Sequence, residues 1–190
     1  MIPQWNSSGV LPPIQPGEVG HGKDRAPYRV SLHQVVERLA TSEKRIAILQ
    51  GLLAYRKELY RCGVVKGFQW LNGSFMEQIE DIENRPPNDI DVVTFFYVPE
   101  NLDQQSLMGR NGDLFDPKKT KSKFSVDSYS FILGRPMEKH HIKLIAYWYS
   151  LWSHRRDHTW KGFVQVELDP REDETTVKIL DLIQQKGSLL

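Results

Sequence analysis

The sequence predicts an α/β (α+β) domain over residues 31–190, a mixed sheet flanked by helices, preceded by an extended proline-rich arm over residues 1–30. Three patterns carry this prediction. Residues 31–63 repeat apolar side chains at helical spacing, residues 66–97 read strand, turn, helix, strand, and the segments 124–131 and 162–168 alternate as strands do. A chain of 190 residues suits one domain with a sizeable core.

In chain order, residues 1–27 hold five prolines and four glycines, which exclude regular structure without excluding order. Within the arm, Val10-Leu11-Pro12-Pro13-Ile14 is expected to pack along the domain, because apolar residues beside rigid prolines lose little entropy on docking. Ser31-Leu32-His33-Gln34 has the form of a capping box, and Leu32, Val35, Val36 and Leu39 continue it as one apolar stripe. Thr41 or Ser42 caps a longer helix with Ile46, Leu49, Leu52, Leu53, Tyr55 and Leu59 on its buried face, closed by Cys62-Gly63.

Lys66–Leu71 is the first strand of the next unit, Phe75–Glu83 a short helix and Asp89–Tyr97 the second strand. Residues 100–123 are polar and read as a solvated loop; its lysines 118, 119, 121 and 123 have steering of an anion as their other role. Phe124–Phe131 is a strand with Phe124, Val126 and Phe131 on its apolar face and Asp127 opposite. An amphipathic helix follows over Met137–Ser153. Its Tyr147, Trp148, Tyr149 and Trp152, with Trp160 beyond it, are expected chiefly in the core, the other use of such rings being a stacking surface for a base. Gly162–Leu168 is the last strand, and Thr175–Lys186 the last helix, ending at Gly187.

A formal charge of +1 excludes a general nucleic-acid coater, so any such contact is local. One cysteine, Cys62, excludes an internal disulfide and suits a reducing compartment. No apolar run approaches the roughly 20 residues that span a bilayer, and the N-terminus lacks the form of a signal peptide. The expectation is a cytoplasmic protein with no membrane partner.

The chemistry concentrates in Trp70-Leu71-Asn72-Gly73-Ser74-Phe75 and Asn88-Asp89-Ile90-Asp91-Val92-Val93. A strand repeats its side-chain direction every second residue, so Asp89 and Asp91 point to one face and can grip a shared cation. Carboxylates this close raise each other's pKa unless a cation neutralises them. Asp is depleted in strands, yet Asp127 interrupts a third apolar segment in the same way.

Gly-Ser, a helical turn, Asp-x-Asp on a strand and a later Asp is a pattern that resembles the nucleotidyltransferase superfamily typified by DNA polymerase beta. The resemblance covers roughly residues 60–135 by motif order. Fourteen residues, Phe75 to Asn88, separate Ser74 from Asp89, slightly more than the pattern leads one to expect. With the proline-rich start and Trp160-Lys161-Gly162-Phe163-Val164, the chain also resembles small stand-alone bacterial nucleotidyltransferase-like proteins, some of them associated with defence or toxin–antitoxin loci.

The resemblance implies that Asp89, Asp91 and Asp127 are catalytic and hold one or two magnesium ions, and that Gly73 and Ser74 clamp the phosphates of a nucleoside triphosphate such as ATP. Lys139 and Lys143, one turn apart on a shared helix face, either reach phosphate or form the helix's polar side, and are assigned here to nucleotide binding. The implied reaction is transfer of a nucleoside monophosphate to a hydroxyl of a protein, a tRNA or a small molecule. The alternative is a non-catalytic module of the same fold, antitoxin-like or scaffolding.

Overall fold

Ser31 opens the first helix as the capping box predicts: its hydroxyl accepts from the Gln34 amide at 3.1 Å, and the Gln34 side chain accepts from the Ser31 amide. This computed structural model describes residues 1–187. Among them, five strands, β1 (Tyr28–Arg29), β2 (Gly67–Asn72), β3 (Ile90–Phe96), β4 (Val126–Ile132) and β5 (Val164–Glu167), form one mixed sheet in the order β1-β5-β2-β3-β4. Seven α-helices accompany it: α1 (Leu32–Leu39), α2 (Glu43–Arg61), α3 (Ile79–Glu83), α4 (Gln104–Arg110), α5 (Pro117–Phe124), α6 (Lys139–Trp152) and α7 (Pro170–Gly187). No helix among the described residues is long and apolar enough to cross a membrane.

β2 and β3 are antiparallel, β3 and β4 parallel, β5 antiparallel to β2, and β1 parallel to β5. α2, α5 and α7 lie on one side, where Leu71, Val92, Phe96 and Val126 are fully buried. The other side carries an aromatic layer in which Trp70 meets Phe95, Phe163 and Tyr149, and Tyr129 meets Trp148 of α6. A buried ion pair ties α2 to α7 and the sheet. The Arg56 guanidinium donates to both oxygens of Asp173 at 2.6 and 2.8 Å, to the Gln69 side chain and to the Glu167 carbonyl.

The arm lies against this body. Val10 and Leu11 are buried, the Tyr28 hydroxyl donates to the Pro12 carbonyl, the Gln78 amide donates to Gly9, and the Trp5 indole donates to Met76. The sheet begins inside the span assigned to the arm, because Tyr28–Arg29 pairs with β5 as an edge strand.

Three other expectations are corrected. Residues 100–123 are not a loop: Asp116 caps α5, Pro117 occupies its first turn, and Thr120 and Phe124 bury a face that the lysine-rich composition masks. The helix expected over Phe75–Glu83 is a three-residue 3-10 turn, Ser74–Met76, followed by the short α3. Glu77 is extended between them because buried Arg45 takes the carbonyls of Phe75 and Glu77, at 2.8 and 2.7 Å, that helical bonds would use. Phe131 lies on the Asp127 side of β4, packed on Phe95 and His141, as its odd-numbered parity with Asp127 requires.

Removing one partner of a buried ion pair strands the other charge. Asp173→Ala is therefore expected to cost about 3–5 kcal/mol in urea unfolding. A loss below about 1 kcal/mol would show that the Arg56 network is not a fold determinant.

Candidate active site

Strand register builds the site. Asn72, Asp91 and Asp127 are direct neighbours across β2, β3 and β4, so they stand in one row at one end of the sheet, on its aromatic side. Asp89, two residues before Asp91, joins that row from just outside the strand. The Lys121 ammonium, brought in by α5, lies 2.6 Å from Asp89 Oδ2 and 3.3 Å from Asp127 Oδ2. One nitrogen thus bridges two of the three acids, which requires them to converge.

Asp91 is the most strained member. Burial, then repulsion from Asp89 and Asp127, push its pKa from 3.8 up to about 6, against partial relief from Lys161 and Lys121. The contacts of Lys121 with Asp89 and Asp127 raise the lysine's pKa despite some desolvation. Gly73 presses on Asp91 directly. Its φ is +83°, which favours glycine, and a Cβ there would stand 3.0 Å from the Asp91 carboxyl carbon, so any side chain would also press on that acid. Ser74 follows at the start of the 3-10 turn.

These residues floor a cleft of about 1010 Å³. Residues of the segment 154–161 also line it, a segment that sequence reasoning did not assign to the site apart from noting Lys161 and giving Trp160 base stacking as its other use. The segment folds back on itself: the Lys161 amide donates to Ser153, the Arg155 amide to Thr159, and the His158 amide to Arg155. Two basic residues pin it to the loop after Gly73-Ser74. Lys161 Nζ donates to Glu77 Oε1 at 2.6 Å, both groups buried, while Arg155 reaches Glu77 at 3.2 Å and Glu83 at 2.6 Å.

The donor set fits a hard divalent cation in kind: three carboxylates and, in the same row, the buried Asn72 Oδ1, which has no hydrogen-bond donor among the described residues. Asn72 Nδ2 is already committed to the Trp152 carbonyl, so its oxygen is the free end. Among the described residues no group of three His, Cys, Asp or Glu side chains stands ready-made to ligate a metal ion, and the Lys121 ammonium is the cation between Asp89 and Asp127.

Lys139 and Lys143 are not brought together with these groups. They are exposed near the start of α6, whereas the cleft receives the other end of that helix, Ser150–Trp152, roughly 10–20 Å along the axis at 1.5 Å per residue. Of the aromatic set expected in the core, only Trp148 and Trp152 are buried; Tyr147 and Tyr149 are exposed, and Trp160, 63% exposed, lines the cleft. Lys121 was hidden in a charge run, and only the amphipathic spacing of Thr120 and Phe124 could have placed it on a helix facing the acids.

Over residues 3–167 the chain matches a family described as of unknown function (DUF6932), and it belongs to that family. No curated protein and no solved structure matches it.

A carboxylic acid whose folded pKa is raised favours the folded state at low pH, and that advantage is lost as pH climbs from the unfolded value near 4 through about 6. In metal-free buffer, Asp91→Asn is expected to stabilise the protein by about 2–3 kcal/mol at pH 7.5 and hardly at all at pH 4, measured by urea unfolding. A variant less stable than the parent at both pH values would contradict this electrostatic picture.

Proposed function

We propose that this protein is a metal-dependent nucleotidyltransferase that moves a nucleoside monophosphate from a nucleoside triphosphate to a hydroxyl acceptor. One observation carries the reading: Gly73-Ser74, the Asp89/Asp91 pair and Asp127, three separate pieces of sequence pattern, line a single cleft. A chance scatter of acids has no reason to fall in one row beside the glycine turn.

Asp89, Asp91 and Asp127 would hold magnesium. When bound, magnesium neutralises the triphosphate and stabilises both the attacking and the leaving oxygen. The chain's own groups do the rest. Gly73, lacking a side chain, lets the backbone of the turn approach the phosphates, and the Ser74 hydroxyl donates to one of their oxygens. The acceptor oxygen attacks the α-phosphorus, the bond from that phosphorus to the bridging oxygen breaks, and pyrophosphate leaves. Asp127, on the neighbouring strand, takes the acceptor's proton. Lys121, 52% exposed and held by the carboxylates of Asp89 and Asp127, is free to turn from Asp89 toward the triphosphate once the acids have another cation.

A second reading, a non-catalytic binding module, draws on α6, where Ile142, Tyr147 and Leu151 are 50–60% exposed on a helix that a partner could cover.

Incubation with α-labelled nucleoside triphosphate, magnesium and a host lysate is expected to yield a labelled macromolecule. Asp127→Ala should abolish the label while retaining most triphosphate affinity. Undiminished labelling by Asp127→Ala would remove the role given to that acid, and the absence of triphosphate binding by the parent would leave the binding-module reading in its place.

A further inference from the structure

The segment 154–161 of the cleft presents an aromatic surface that the transfer chemistry leaves unused. Trp160 is 63% exposed, and its ring packs edge-on against His154 at 4.6 Å between centroids. The two residues are paired across the folded-back segment by an antiparallel bridge, so their rings stand on the same side. His154 Nδ1–H donates to the Ser150 carbonyl at 3.2 Å, which fixes the imidazole plane against the end of α6. The segment is anchored at both ends, by Lys161 to buried Glu77 and by Arg155 to Glu77 and Glu83. Anchoring uses up those two cations. Arg156 and His158, at the tip of the same turn, make no ion pair among the described residues and also line the cleft.

A lone exposed tryptophan on a protein surface needs no explanation. This one differs in three ways: it is carried on a braced turn, it lines a cleft rich in charged and polar groups, and the Arg156 guanidinium, without an ion-pair partner among the described residues, lines the same cleft. A flat π-face and a cation in one cleft is the combination that binds a nucleobase and the phosphate attached to it, because stacking accepts any base while the cation meets the backbone.

We propose that Trp160, supported by His154, is a stacking platform for a nucleobase, with Arg156 and His158 contacting the phosphate next to it. The base belongs either to the nucleoside triphosphate or to the terminal nucleotide of an RNA acceptor. This inference rests on the nucleotidyl-transfer reading and adds to it the side chains that recognise the ligand.

Calorimetry on the full chain tests it with three probes in magnesium: a non-hydrolysable ATP analogue, a short single-stranded RNA and inorganic tripolyphosphate. Trp160→Ala is expected to weaken the nucleotide analogue or the RNA by about 10-fold or more, Trp160→Phe to restore most of that, and tripolyphosphate to bind parent and variant alike. Loss confined to the analogue places the donor base on Trp160, and loss confined to the RNA places the acceptor base there. Equal affinities of parent and Trp160→Ala for both base-bearing probes would overturn the platform while tripolyphosphate binding kept the transfer reading intact. If the parent binds none of the three, both readings fall. Trp160 is largely exposed, so far-ultraviolet circular dichroism of the alanine variant should match the parent and exclude misfolding as the cause.

Discussion

The register of β2, β3 and β4 is the constraint on which the site depends. Asn72, Asp91 and Asp127 share a row only because residue 91 pairs with 72 on one side and 127 on the other. A slip of one residue between β3 and β4 would turn either Asp91 or Asp127 toward α2 and α5, into a buried layer whose Arg56 is already paired with Asp173. The apolar residues that fix the register sit further along the same strands: Val92, Phe96 and Val126 on the helix side, Phe95 and Phe131 on the other. Packing along the strands thus positions chemistry at their ends.

Grouping carboxylates this way costs stability, and the surroundings offset the cost without removing it. Lys121 neutralises the outward pair, Asp89 and Asp127, at the surface, whereas buried Lys161 is engaged by Glu77 and acts on Asp91 only through space. Asp91 is left short of a direct cationic partner. A site that is electrostatically incomplete in the free protein is better completed by a ligand cation than one already satisfied, which is the usual relation between function and local instability. Arg45 and Arg56 brace the framework from the other side, Arg45 fixing the backbone just after Ser74 and Arg56 locking α2 to β2 and α7.

Much of the framework was legible in the sequence because its signals are local. The Ser31 capping box, the Ser42 cap and the Gly63 turn are settled within a few residues, and strand alternation placed Asp89 and Asp91 on one side. The misread segments are those in which distant residues decide. Arg45 interrupts the helix after Ser74 from 30 positions away in the chain. The lysines of α5 hide an amphipathic helix with only two buried positions, Thr120 and Phe124, and the cleft wall at 153–161 has no pattern before Trp160-Lys161. Its geometry follows from a turn and from two basic residues finding Glu77 and Glu83, a tertiary match that no periodicity announces. Lys139 and Lys143 illustrate the converse. Helical spacing correctly put them on one face, but it carried no information about which end of α6 meets the cleft.

The central claim is that the three acids and the Gly73-Ser74 turn form one binding site for a divalent cation and a triphosphate. A crystal structure grown with manganese and a non-hydrolysable nucleoside triphosphate tests it most directly, because manganese is located by its anomalous signal. The account predicts an anomalous peak ligated by Asp89 and Asp91, phosphate density against Gly73 and Ser74, and the Lys121 ammonium turned away from Asp89. Lys121 still bridging Asp89 and Asp127, with no peak among the acids at millimolar metal, would contradict it.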